Sequence, residues 1–265
     1  MSCDNPMLYY RLFIYLKVSS YLNIMTSTHK FFYFKDEKYP IEVTDETLDI
    51  TPYTFSRDGI LSEQNSLYQF FNDIDKTKPY NIIDIGAQSG LYSLFSKYLP
   101  LSKFYAFEPF PATFKILNEN LLLNGIQNVS TYRMAISDKK GPAVLNTSLS
   151  HNGLHTLGEN PLRFYDVLSI PVETTTLDIF FKDLGISIDY IKIDTEGYEY
   201  YILKGGLDII KKYKPIIQIE YYVTNMHQCN VSEVMMQNLI DELGYYISEH
   251  TEEEYLLKPI IPRQL

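Results

Sequence analysis

Asn81-Ile82-Ile83-Asp84-Ile85-Gly86-Ala87-Gln88-Ser89-Gly90 carries a short apolar run into a glycine-bounded loop, and the residues from Leu91 onward read as a helix. A buried strand that turns straight into a helix is the opening of a parallel strand–helix–strand unit, and in an open α/β sheet ligands sit at the carboxyl ends of such strands. Glycines there let backbone approach the ligand closely. The spacing excludes two phosphate-gripping loops. A dinucleotide fingerprint reads G-x-G-x-x-G, but Gly86 and Gly90 enclose three residues with no glycine among them. A Walker loop needs G-K-[ST], and Ser89-Gly90-Leu91 is not that. The loop suits a ligand without phosphates.

Outward from this loop the alternation continues. Apolar runs at Asn81 to Ile85, Lys103 to Glu108, Val129 to Arg133, Tyr190 to Asp194 and Pro215 to Tyr221 lack polar alternation, as expected of strands covered on both faces. Helical patterns fall between or after them at Leu91 to Leu99, Ala112 to Asn124, Tyr198 to Lys204 and Val231 to Leu243. The expected class is α/β: a Rossmann-like, mostly parallel, doubly wound sheet. Tyr245 to His250 and Glu254 to Ile260, joined by Thr251-Glu252-Glu253, read as a C-terminal hairpin that gives the sheet an antiparallel edge. Residues 1–78 form a Tyr- and Phe-rich N-terminal extension of helical and short-strand elements packing on the core, including Phe31 to Phe34 and a helix from Ser62 to Asn72. Residues 79–265 form the main domain.

Composition narrows the partners. With 33 acidic and 23 basic residues the net charge is -10, which repels a polyphosphate backbone, so nucleic acid is a disfavoured partner. Hydrophobic residues make up 45% of the chain, enough to fill the core of a domain this size. Cys3 and Cys229 are the only cysteines, too few for a disulfide framework or a zinc cluster, and a reducing, cytoplasmic setting is the simpler expectation. Met7 to Val18 is apolar but interrupted by Arg11 and Lys17, too short and too charged to span a bilayer. It reads as a helix packed on the domain, with a membrane-surface or dimer-forming helix as the alternative; a homo-oligomer is compatible with it.

Three further segments gather acids at the same strand ends. Phe107-Glu108-Pro109 closes the second strand with a carboxylate placed to accept hydrogen bonds from ribose hydroxyls, although an ordinary solvated strand end would look the same. Ile191-Lys192-Ile193-Asp194-Thr195-Glu196-Gly197-Tyr198-Glu199 delivers Lys192 and Asp194 to one face of a buried strand. A lysine there is costly unless paired, so Lys192 is expected beside a carboxylate, with Asp194 the leading catalytic candidate. Glu196 and Glu199 equally suit the N-terminal turn of the following helix through its dipole. Glu220 ends the next strand. Acids gathered there could bind a cationic amino group, ligate magnesium through Asp194 and Glu220, or act as a base.

Together these segments resemble the FkbM family of methyltransferases, whose features are a D-I-G-A-N-x-G loop, an E-P after the second strand and K-I-D-x-E-G-x-E. Here they stand as Asp84 to Gly90, Glu108-Pro109 with Asn120 and Asn124 downstream, and Lys192 to Glu199. The resemblance extends through Thr176-Leu177-Asp178, Leu203-Lys204-Gly205-Gly206 and Pro215 to Glu220, covering roughly residues 81–250. Gln88 departs from the pattern, which has Asn. The resemblance implies a class I fold that binds S-adenosylmethionine and usually O-methylates a small molecule or glycan. By position it implies Asp84, Gly86, Ala87, Gln88 and Gly90 at the methionine end, Glu108 and Pro109 at the ribose, and the Met134-Ala135-Ile136-Ser137-Asp138 turn, through Ala135 and Asp138, at the adenine. It also places His151-Asn152-Gly153-Leu154-His155 near the acceptor, where His155 is a candidate base.

The leading expectation is thus an S-adenosylmethionine-dependent O-methyltransferase acting on a hydroxyl of a sugar, glycan or small metabolite. Asp194, Glu220 or His155 would take the proton, directly or through magnesium, beside Lys192. An RNA ribose 2'-O-methyltransferase is the rival that Lys192, Asp194 and Glu220 would also suit, against the acidic charge. A non-catalytic binding module of the same fold is the second rival.

Overall fold

The computed structural model describes residues 27–34, 37–44, 64–148, 154–159, 167–182, 184–250 and 253–261. A hairpin, β1 (Ser27–Phe34) and β2 (Glu37–Thr44), precedes helix α1 (Gln64–Phe71). Alternation then runs β3 (Asn81–Ile85), α2 (Leu91–Leu94), β4 (Lys103–Phe107), α3 (Pro111–Leu123) and β5 (Val129–Tyr132). Next come the strands β6 (Ala135–Ile136), β7 (Gly141–Ser148), β8 (His155–Thr156) and β9 (Val167–Thr175), then α4 (Leu177–Lys182). The rest is β10 (Tyr190–Ile193), α5 (Glu199–Lys204), α6 (Leu207–Tyr213), β11 (Ile216–Glu220), α7 (Val223–Gln228), α8 (Glu233–Leu243), β12 (Tyr245–His250) and β13 (Glu254–Pro259).

The main sheet has seven strands in the order β12-β13-β11-β10-β3-β4-β5. β5, β4, β3, β10 and β11 are parallel, and β13 runs antiparallel between β11 and β12. This is the expected doubly wound sheet, with the reversed strand one place inside the edge. The strands read as unbroken apolar runs because both faces are covered. Ile82, Phe104, Ala106 and Tyr190 face one core with Leu67, Phe70, Phe71, Leu94, Phe95, Leu117 and Leu121. Their neighbours Ile83, Ile85, Tyr105, Phe107, Ile191 and Ile193 face the other, with Leu177, Phe181, Ile202, Ile210 and Ile240. Ile41 and Val43 of β2 also lie in the first core, so the hairpin packs on the α3 side.

Several boundaries differ from expectation for local reasons. The helix expected over Leu91 to Leu99 keeps α form only to Leu94 and tightens into a 3₁₀ turn at Phe95–Tyr98. α8 starts at Glu233 because the Ser232 side chain caps Met235 N–H, and it stops where Gly244 adopts φ 75°. A second, four-stranded sheet, β6-β9-β7-β8, sits between β5 and α4 where no strands were expected. Its long strands alternate polar residues and carry Gly141, Pro142 and Pro171, which masks the pattern of a buried strand. Met7 to Val18, Cys3, His151 and most of the expected 251–253 turn lie outside the described residues. Among the described residues, no helix is long and apolar enough to cross a membrane.

Candidate active site

The strand order steps outward in both directions from the β3–β10 pair, so the loops that leave these two strands flank the switch point where open α/β sheets take ligands. In register, Lys192 of β10 lies opposite Asp84 of β3. The Lys192 ammonium is 3.7 Å from Asp84 Oδ1 and 3.4 Å from Asp194 Oδ2, and it donates to Gly86 O at 3.1 Å. It lies 5.0 Å from the centre of the Tyr92 ring. Burial works against its charge, yet Asp194 and Asp84 outweigh burial and push its pKa up. Asp84, also buried, accepts from Ser93 Oγ at 2.6 Å; burial raises its pKa despite Lys192. The carboxylate partner that a strand lysine requires is therefore present twice. Asp194 itself sits just past the strand, with 43% of its side chain exposed.

The two loops touch through missing side-chain atoms. Gly86 has φ 72°, and a Cβ built on it would stand 1.8 Å from the carbonyl oxygen of Asp194. Here the closest backbone approach at Gly86 is made by the loop of the neighbouring strand. Gly197 has φ 100°, and a Cβ there would fall 2.3 Å from Asn225 O. Between these contacts each loop holds a non-glycine residue in the left-handed region, Gln88 at φ 50° and Glu196 at φ 56°.

A buried carboxylate gathers the amides of each loop. Glu108 leaves β4, which therefore ends one residue early, and accepts from Gln88 N–H and Phe110 N–H, both at 2.8 Å. Glu199 accepts from Thr195 N–H and Thr195 Oγ–H, both at 2.8 Å, and from Gly197 N–H at 3.4 Å. Burial pushes both acids from 4.5 to about 7. Glu199 stands in the first turn of its helix, where the helix-dipole reading puts it, and folds its side chain back under the loop before that helix.

At the ends of β10 and β11, Asp194, Glu196 and Glu220 each bring a carboxylate oxygen within 4.8 Å of the others. The buried Asn225 joins two of them, donating to Glu196 Oε2 at 2.8 Å and to Glu220 Oε1 at 3.4 Å. Sequence reasoning passed over Asn225, Ser93 and Tyr92. Asn225 follows Glu220 by five residues, which was the available signal.

Other expected residues lie apart from this cluster. His155 is on β8 of the small sheet, its Nδ1 2.7 Å from Thr147 Oγ1 and its ring 4.5 Å from that of Phe110. That places it over the turn after Glu108 and the half-buried Pro109. Ala135 is buried in β6, while Ser137 reaches Asp138 Oδ1 at 3.3 Å and the Tyr198 hydroxyl at 3.5 Å. A Cβ on Gly205 would meet Ser137 O at 2.1 Å, so this turn rests on the end of α5. Ala87 is buried and Gly90, at φ 90°, starts α2 against Leu117. Cys229 is a buried free thiol.

Strand order, reversed penultimate strand and a phosphate-free glycine loop opposite an acidic strand end define a Rossmann-like fold of the class I methyltransferase type. Residues 84–247 match the Methyltransferase FkbM domain, and the chain belongs to that family. It is 30% identical over 153 residues to "Methyltransferase sdnD" of Sordaria araneosa, covering 47% of this chain and 59% of that protein. It is 25% identical over 142 residues to "Methyltransferase 1" of Beauveria bassiana (strain ARSEF 2860), covering 47% and 57%. The chain thus spans less than two thirds of the length of these curated relatives. Among solved structures it is similar to Methyltransferase FkbM from Methylobacillus flagellatus KT, at TM-score 0.45 and 14% identity over 74% of this chain and 53% of that one. It is also similar to SMU.1697c from Streptococcus mutans in complex with SAH, at TM-score 0.45 and 12% identity over 74% and 96%. Membership implies S-adenosylmethionine as the methyl donor. The residues present fit it: a cationic ligand without phosphates meets an acid-lined strand edge and a loop without a phosphate grip.

Proposed function

We propose that the chain is an S-adenosylmethionine-dependent O-methyltransferase whose acceptor is a hydroxyl of a sugar, glycan or small metabolite. The observation that carries this reading is the half-exposed Asp194 carboxylate, fixed 3.4 Å from Lys192 at the switch point and beside the loop of Gly86. Bound there, S-adenosylmethionine supplies an already activated methyl group, so the protein's work is alignment of the acceptor oxygen and removal of its proton. Asp194 takes the hydroxyl proton. Lys192 is buried and spends its donors on Gly86 O and the two acids, which makes it a positioning residue. Asp84, Gly86, Ala87, Gln88 and Gly90 line the methionine end, Glu108 and Pro109 the ribose, and Ala135 and Asp138 the adenine. His155, carried by the small sheet against Phe110, is the second candidate base for the acceptor.

A metal-assisted version is favoured by one observation, the convergence of Asp194, Glu196 and Glu220 oxygens. These hard oxygen donors suit magnesium, which would lower the pKa of the acceptor hydroxyl. The RNA reading fits less well, because Lys192 is enclosed and the chain carries a net charge of -10.

The test has two stages. Calorimetry with S-adenosylhomocysteine should show stoichiometric binding; none would favour a non-catalytic module. Radiolabelled methyl transfer should then be screened over glycans, hydroxylated small molecules and capped RNA, with EDTA and with magnesium. Label on RNA alone would overturn the acceptor assignment, and full activity in EDTA would remove the metal.

A further inference from the structure

The hairpin strand β2 reaches the glycine loop through one buried side chain. Asn120 of α3 is fully buried. Its Oδ1 accepts from Thr44 N–H of β2 at 2.9 Å, and its Nδ2 donates to Ser89 O, in the loop, at 2.8 Å. An amide that must accept on one side and donate on the other has a single orientation, so the strand's N–H dictates which way Asn120 points. One turn along α3, Asn124 accepts from Glu42 N–H at 3.0 Å and donates to Glu42 O at 2.7 Å. Its amide thereby stands in for the peptide of a neighbouring strand along β2. Asn124 thus grips the strand rather than the loop. The hairpin is held from the loop's own helical turn as well, since Tyr98 donates its hydroxyl to Pro40 O.

We infer that docking of residues 37–44 and binding of the cofactor at the loop of residues 84–90 are energetically linked, with Asn120 as the positioning residue between them. The inference rests on the proposed role of that loop. Thr44 N–H orients Asn120, Asn120 fixes the Ser89 carbonyl, and Ser89 precedes Gly90, where the left-handed turn into α2 is made. Linkage is reciprocal: a ligand that stabilises the loop must also stabilise the docked hairpin. The N-terminal hairpin is thus a working part of the cofactor site.

Three variants separate this from general packing. Asn120→Ala removes both bonds; Thr44→Pro removes the strand donor, together with a buried threonine side chain, while keeping Asn120; Asn124→Ala removes the bonds to Glu42 and one to Asn120 O but leaves the Asn120 side chain bonded to Thr44 and Ser89. Val43, preceding the new proline, already lies in a strand, as a pre-proline residue prefers. S-adenosylhomocysteine affinity is expected to fall about 10-fold in Asn120→Ala and about 3-fold in Thr44→Pro, and to stay within about 2-fold in Asn124→Ala. In wild type, hydrogen exchange of the 41–44 amides should slow on adding the ligand, and in Asn120→Ala it should not. Wild-type affinity in both Asn120→Ala and Thr44→Pro, or ligand-independent exchange at 41–44 in a wild type that binds, would overturn the linkage while leaving the cofactor reading intact. Failure of the wild type to bind would overturn that reading instead. Exchange without ligand then decides the rest: unless Thr44→Pro speeds exchange of the 86–91 amides, the hairpin is not joined to the loop. If Asn120→Ala does not fold, Thr44→Pro against Asn124→Ala makes the same distinction.

Discussion

The loop after β3 and the loop after β10 solve one problem in two ways. Each must turn the backbone at the carboxyl end of a central strand, each uses a left-handed non-glycine residue, and each hands its amides to a buried acid. The second loop takes its acid from its own helix, four residues beyond Thr195. The first takes Glu108 from the neighbouring strand, twenty residues beyond Gln88. The second loop is therefore a local unit, whereas the shape of the first depends on how β3 and β4 sit together. At Gly86 and Asp194 the two meet in backbone contact, so neither can change its path alone.

The most severe way to break this arrangement is Gly86→Ala. The added methyl would occupy the place of Asp194 O, in a backbone conformation that disfavours alanine. We expect a loss of about 3 kcal/mol or more in denaturant unfolding, together with loss of S-adenosylhomocysteine binding. Wild-type stability and affinity in that variant would show that the two loops separate without cost. Asp194→Asn attacks the second loop without moving it. On an acceptor that the wild type methylates, turnover should fall at least about 100-fold while cofactor affinity changes much less. A loss confined to affinity would make Asp194 an anchor for the ligand's ammonium.

A pH series sharpens the comparison. Glu108 and Glu199 both have folded pKa values raised by burial, from 4.5 to about 7. Their contribution to stability is fully present below the unfolded value and is lost as pH rises through the folded one. Thermal unfolding should thus occur at higher temperature near pH 5 than near pH 8. Glu108→Gln and Glu199→Gln should each flatten that decline, but only Glu108→Gln should also weaken cofactor binding. A decline equally steep in both variants would locate it elsewhere. The smallest expected effect is Gln88→Asn: asparagine tolerates the left-handed region better, so the variant should gain about 0.5 kcal/mol in denaturant unfolding. A destabilised Gln88→Asn would mean that the longer amide makes contacts worth more than the backbone preference.

Legibility in the sequence followed the same local and non-local divide. The central strands were readable because a strand buried on both faces is an apolar run, and the need of Lys192 for a carboxylate followed from burial alone. Short helices gave an uneven signal, since six-residue α5 was read while α4, α6 and α7, of six or seven residues, were not, and the small sheet hides behind its prolines and polar alternation. At the site, acids at strand ends were visible, but their partners were not. That Glu108 would turn back onto Gln88 N–H, or that Asn225 would bridge Glu196 and Glu220, depends on adjacency between strands that residue order does not spell out.

The position of β13 has a consequence in time. A ribosome makes β12 before β13, yet β13 is the neighbour through which β12 joins the sheet, and it pairs Glu254 with Glu220 at the end of β11. During synthesis β11 must wait with an open flank while 34 residues, from Glu220 to Glu254, are added, roughly 2 to 7 seconds at ordinary elongation rates. For that interval Glu220 lacks its cross-strand partner, and the open edge of β11 offers a passing strand the slot reserved for its own.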